Sequence, residues 1–158
     1  PVWVGLHPWF ARDLDRGGSA EIEFSANQML ERDKDGLPTG KLISPTKQPW
    51  DDAFTQIKGT PAIVWEDVLR IDIESDAPWW VVYSEDQEGL CIEPHTAPPD
   101  AANLGISGEN YIEALFVFFL KLRYNIHSRN NRFVQWSATH SKCRNIISLT
   151  IVGRIKRI

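Results

Sequence analysis

Val68-Leu69-Arg70-Ile71-Asp72-Ile73 alternates apolar and polar side chains one residue at a time, and Trp79-Trp80-Val81-Val82-Tyr83 soon follows as a dense run of β-formers. Period-two alternation sends successive side chains to opposite faces of a sheet, whereas a helix would scatter them around its axis. Working outward, Ala20-Glu21-Ile22-Glu23-Phe24 alternates in the same way, and Val2-Trp3-Val4 leads to a stop at Gly5 and Pro8. Turn signals punctuate these runs at Arg16-Gly17-Gly18, Asp35-Gly36, Leu37-Pro38-Thr39-Gly40, Ser44-Pro45, Lys58-Gly59-Thr60-Pro61 and Glu88-Gly89. Many short strands with frequent turns predict an all-β antiparallel sandwich or barrel. Asp51-Asp52-Ala53-Phe54 reads as the opening of a short turn, with an Asp capping exposed N–H groups.

The 158 residues suffice for one domain with a real core, and 42% hydrophobic against 24% charged residues excludes wholesale disorder. Seven Trp and seven Phe suit a thick β core or a pocket for a ligand with apolar faces, sugar rings included. Residues 1–109 carry 8 Lys+Arg against 20 Asp+Glu, while residues 110–158 carry 9 against the single Glu113. That shift near Gly108 marks the boundary between an acidic domain and a basic tail. Tyr111 to Tyr124 reads as either a last strand or a short helix. The longest apolar run, Ala114 to Leu120, is too short to cross a bilayer, so no membrane partner is expected. The first residue is Pro1 and no basic-then-apolar leader follows, which reads as an excised or processed piece of a cytoplasmic protein. Two cysteines, Cys91 and Cys143, make no disulfide framework.

Chemistry concentrates in Gly89-Leu90-Cys91-Ile92-Glu93-Pro94-His95-Thr96-Ala97-Pro98-Pro99-Asp100-Ala101-Ala102-Asn103. Leu90, Cys91 and Ile92 are apolar on both faces, so their strand is expected to be buried, with Glu93 at its end where Pro94 stops ladder pairing. A carboxylate in a rigid, partly dry place is suited to general-base work, and the plain alternative is a strand-end Glu facing water. Gly5-Leu6-His7-Pro8-Trp9-Phe10 has the same shape, and its histidine is a candidate acid or a hydrogen-bonded structural residue.

Those two segments, with Gly36-Leu37-Pro38-Thr39-Gly40 and Trp50-Asp51-Asp52-Ala53-Phe54 between them, resemble in order the motifs of the aldose 1-epimerase (galactose mutarotase-like) family. The resemblance covers about residues 1–109, the later part of a longer catalytic domain, and leaves 110–158 as a last strand and an atypical basic tail. It implies a partial β-supersandwich that interconverts the α and β anomers of an aldose without a cofactor. Glu93 then takes the proton of the anomeric hydroxyl, His7 protonates the ring oxygen and Asp51 hydrogen-bonds sugar hydroxyls. Trp9, Phe10 and Trp50 are expected as apolar walls, with His95 a sugar contact where many members have Gln. The partner implied is an aldohexose such as glucose or galactose. The family's upstream strands, with a further His and a basic residue, precede Pro1.

Two other functional classes compete. A carbohydrate-binding sandwich would keep the aromatics without turnover. The tail residues Arg123, Arg129, Arg132, Lys142, Arg144, Arg154, Lys156 and Arg157, interleaved with Tyr124, Phe133 and Trp136, would suit a polyanion, though they match no nucleic-acid module and a solvated surface is the simpler reading. Glu31, Asp33 and Asp35 do not make a calcium loop, since the twelfth position is Leu42, and a hairpin turn at Asp35-Gly36 is expected instead. His127, His140 and Cys143 lack a fourth zinc ligand at suitable spacing, and Cys91 reads as a small core hydrophobe, so no metal site is expected.

Overall fold

The computed structural model describes residues 3, 5–14 and 17–106, and the backbone of 122–128 and 134–138. In chain order the strands are β1 (Trp9–Ala11), β2 (Glu21–Glu23), β3 (Ala26–Arg32), β4 (Pro38–Ile43), β5 (Asp51–Ile57), β6 (Ala62–Trp65), β7 (Leu69–Ser75), β8 (Trp79–Tyr83) and β9 (Gly89–His95). One helical turn, α1 (Ala101–Leu104), precedes β10 (Leu122–Ser128) and β11 (Val134–Ala138). A six-stranded sheet has the order β1-β9-β8-β5-β3-β4 and a five-stranded sheet the order β11-β10-β7-β6-β2, with every pairing antiparallel. The chain is an all-β sandwich.

Alternation explains how the two sheets meet. Met29, Phe54, Trp80, Val82, Leu90 and Ile92 face inward from the first sheet and join Ile63, Trp65, Leu69, Ile71 and Ile73 of the second in one core. Three buried indoles keep their N–H groups satisfied on backbone carbonyls: Trp50 on Thr46, Trp65 on Arg12 and Trp80 on Ala77. The outer face of the first sheet carries a different set, including Asp51, Tyr83, Cys91 and Trp9, which lie side by side in register across four strands. After β9, a strap with buried Ala97, Pro98 and Ala101 runs to α1, whose Leu104 packs near Gly40 of β4. It therefore spans the sheet from β9 to the far edge.

Several expectations change. Residues 51–57 form a central strand between β8 and β3, so Asp51-Asp52 opens no turn; Ala53 and Phe54 are buried on opposite faces, as a strand requires. The first strand among the described residues is Trp9–Ala11; of the expected run Val2-Trp3-Val4, Val2 and Val4 lie outside them. Pro94 does not end β9, which pairs on through His95. The Pro94 carbonyl accepts from the Leu6 N–H at 3.1 Å, so the N–H that proline lacks is missed only on the side of the edge segment. The Asp35-Gly36 hairpin is as read, with Asp33 Oδ1 accepting from the N–H groups of Asp35 and Leu37. Of the stretch 111–124, residues 111–121 lie outside the described residues, and 122–124 begin a strand that pairs with β7. Apart from the backbone of β10 and β11, the basic tail lies outside them too, as do His140 and Cys143. No helix among the described residues is long and apolar enough to cross a membrane.

Phe54 is fully buried where the two sheets meet and packs edge-on against Phe24 and Trp50 at ring separations of 5.0 and 5.3 Å. Phe54→Ala is expected to cost about 3–5 kcal/mol in urea unfolding. Leu37→Ala, at a residue 59% exposed, should stay within about 0.5 kcal/mol of wild type in the same measurement.

Candidate functional site

The site grows from a single register. Trp9 pairs with Cys91, and Gly5 bridges to His95, so His7 falls opposite Glu93 at the midpoint of the same antiparallel run. Cys91, Glu93 and His95 alternate with Leu90, Ile92 and Pro94 along β9 and share its outer face. The side chains that the sequence places far apart thus converge on one patch.

Glu93 is the one buried charged residue of the described set, at 4% exposure. A buried carboxylate must be paired, and here both oxygens are. His7 Nε2 lies 3.2 Å from Oε1 and His95 Nε2 lies 3.1 Å from Oε2. His95 is mostly covered, while His7 is half exposed and forms the solvent side of the pair. The other ring nitrogen of His7, Nδ1, lies 3.6 Å from Cys91 Sγ. Burial, and then the neighbouring Glu93, push the Cys91 thiol well above the usual thiol range, so it stays protonated in the resting protein. Donor atoms of His7, Cys91 and Glu93 all lie within 4.8 Å of one another.

Aromatic surface borders this cluster. The Trp9 indole is 43% exposed, stacks against the His7 ring at 6.2 Å and meets the Tyr83 ring at 5.8 Å. Its position depends on Gly89: a Cβ there would sit 2.2 Å from the indole nitrogen. Gly5 plays the same part under His95, whose ring atoms would stand 2.6–2.8 Å from an added Cβ. Two glycines therefore let two rings lie flat against the backbone on either side of Glu93. On the far side of Tyr83, Asp51 is half exposed and pairs through Oδ2 with Arg32 Nη1 at 3.0 Å, while Arg32 Nε reaches Asp52 at 3.0 Å. Burial, and then the nearby carboxylates of Asp86, Glu85 and Asp51, raise the Tyr83 phenol above its ordinary value and keep it a neutral hydroxyl.

Of the residues singled out from sequence, His7, Glu93, His95, Trp9 and Asp51 share this face. Phe10 and Trp50 do not. Phe10 pairs with Leu90 and packs on the inner core, and Trp50 is buried against Phe24 and Phe54, so neither borders the His7–Glu93 cluster. Phe10 is a neighbour of Trp9 in sequence and thus faces the other way, while Trp50 is drawn inward by its N–H bond to Thr46. Tyr83, Cys91 as a partner of His7, and Arg32 as the holder of Asp51 were not anticipated. Strand parity alone signals the first two, since Tyr83 lies opposite Cys91, two positions from Glu93.

No family model matches the chain. An uncharacterized protein of Escherichia coli (strain K12), YihR, is 29% identical over 130 residues, covering 67% of this chain. The chain spans about two fifths of the length of that curated relative.

Proposed function

We propose that this chain is the later part of an aldose 1-epimerase-like domain, acting on an aldohexose such as glucose or galactose. The observation that carries the reading is the buried Glu93 carboxylate, held by two imidazoles at the floor of an open face edged by Trp9 and Tyr83. Mutarotation needs one base and one acid at the two oxygens of a hemiacetal, with roles that reverse on closure. Glu93 takes the proton from the anomeric hydroxyl. The C1–O5 bond breaks and O5 receives the Nε2 proton of the His7 imidazolium, giving the open aldehyde. Rotation about C1–C2 presents the other carbonyl face, and reversal of the two transfers closes the opposite anomer. No redox step or cofactor enters this chemistry.

The surrounding groups have definite parts in this scheme. His95 fixes the rotamer of Glu93 through Oε2, leaving Oε1 and the His7 edge toward the sugar. The indole of Trp9 offers a flat face to pyranose C–H groups, and Asp51, steadied by Arg32, accepts from sugar hydroxyls. The same reading places the protein in the cytoplasm, with Cys91 a free buried thiol, and expects no nucleic-acid partner.

Polarimetry on freshly dissolved α-glucose and α-galactose tests the scheme. The protein should speed the approach to anomeric equilibrium. Glu93→Gln and His7→Ala should each lower kcat by about 10²–10⁴-fold, with sugar affinity largely kept. Undiminished turnover in Glu93→Gln would remove Glu93 from the mechanism, and no acceleration by a folded protein that still binds sugar would favour a non-catalytic sugar-binding sandwich. Gly89→Ala, by displacing the Trp9 indole, should raise KM several-fold while changing kcat less.

A further inference from the structure

We infer that His7, Cys91 and Glu93 form a binding site for a borderline-soft divalent ion of the Zn²⁺ type, and that an ion seated there shuts down the acid–base pair. The donors are one imidazole nitrogen, one sulfur and one carboxylate oxygen, all within 4.8 Å of each other. This mixed set suits zinc and its neighbours and is poorly matched to magnesium or calcium, which take oxygen. The spacing fits as well. An ion bound tetrahedrally at about 2.3 Å from sulfur and about 2.0–2.1 Å from nitrogen holds those two donors about 3.6 Å apart. Cys91 Sγ and His7 Nδ1 stand 3.6 Å apart.

The frame is set by the strands apart from the Glu93 carboxylate, whose Oε1 faces His7 Nε2 at 3.2 Å and turns toward the Nδ1 side on loading. Cys91 and Glu93 project from one face of a central stretch of β9, and His7 is set across from Glu93 by the same register that pairs Trp9 with Cys91. His95, bonded to the second carboxylate oxygen, orients Glu93 from behind, as partners outside the ligand set do for ligating carboxylates. Half-exposed His7 leaves the solvent side open for entry and for a fourth ligand from water.

The consequence for catalysis follows from electron pairs. An ion on Nδ1 takes the lone pair that His7 needs to become an imidazolium, and Glu93, giving up its 3.2 Å contact with Nε2 to ligate the same ion, is no longer available as the base. Neither proton transfer can then run, and loading releases the Cys91 thiol proton to solvent. Inhibition rests on the proposed acid–base roles of His7 and Glu93, whereas binding does not.

Cobalt(II) is a suitable probe because thiolate ligation gives a near-ultraviolet charge-transfer band and tetrahedral coordination gives visible bands. Titrating the metal-free protein with Co²⁺ should give both bands, saturating at one equivalent and bleached by Zn²⁺. Cys91→Ser should lose the charge-transfer band. His7→Ala, at a half-exposed position that leaves the core intact, should weaken binding roughly tenfold or more. Zn²⁺ should abolish the polarimetric acceleration stoichiometrically, with recovery on chelation. Absence of the charge-transfer band in wild type, or equal affinity in wild type and His7→Ala, would overturn the site. Bands that behave as expected in a protein with no acceleration at any metal level would uphold the site and overturn the acid–base reading. Acceleration indifferent to Zn²⁺ in a protein without the bands would do the reverse.

Discussion

The antiparallel pairing of β9 with the segment from Gly5 to Ala11 is the constraint on which the site depends. Strand β9 is buried on both of its faces, one by the sandwich core and one by the site itself. Leu90 and Ile92 commit its inner face to the apolar interior, which leaves Cys91, Glu93 and His95 no choice of direction. The burial of a charged carboxylate would ordinarily oppose folding by several kcal/mol. Here that cost is offset by two imidazoles, one supplied by β9 itself and one by the segment across from it. The hydrophobic core and the polar cluster therefore specify the same register from opposite sides of one strand.

Much of the fold was legible because its strands obey simple alternation. Leu69 to Ile73 and Trp79 to Tyr83 are strands where the sequence reads as strands, and Gly89 to Ile92 is as buried as its composition implies. Strand β5 was obscured by the Asp pair at its head, which imitates a cap, and by Gln56, whose positive φ of 57° interrupts the regular pattern. Strands β3 and β4 carry mostly polar or half-buried residues and sit toward one edge, where solvent relaxes the rule that pattern reading relies on.

The site was legible in part. His7 and Glu93 stand out as ionisable residues beside proline at the ends of apolar runs, yet nothing local in either segment says that they meet, because the meeting is a property of register. Aromatic identity was a poor guide: Trp9 and Phe10 are adjacent and go to opposite faces, one to the exposed outer face and one to the core. The strap that carries Thr96 to Asn103 has no strand alternation, so pattern reading alone could not place it. It crosses the sheet from β9 to β4, and its buried Ala97, Pro98 and Ala101 fix its path beside the cluster.

Since His7 and Glu93 meet through pairing parity, the segments bearing them tolerate change of residue far better than change of length. One residue inserted between Gly5 and Trp9, or within β9, would turn a site side chain toward the core and a core side chain toward the outer face of the sheet. The Asp33–Leu37 turn and the Ser84–Glu88 connection carry no such parity. Length variation among related chains should therefore collect in those turns and be purged from the two site-bearing strands, a pattern imposed by geometry before any selection on chemistry acts.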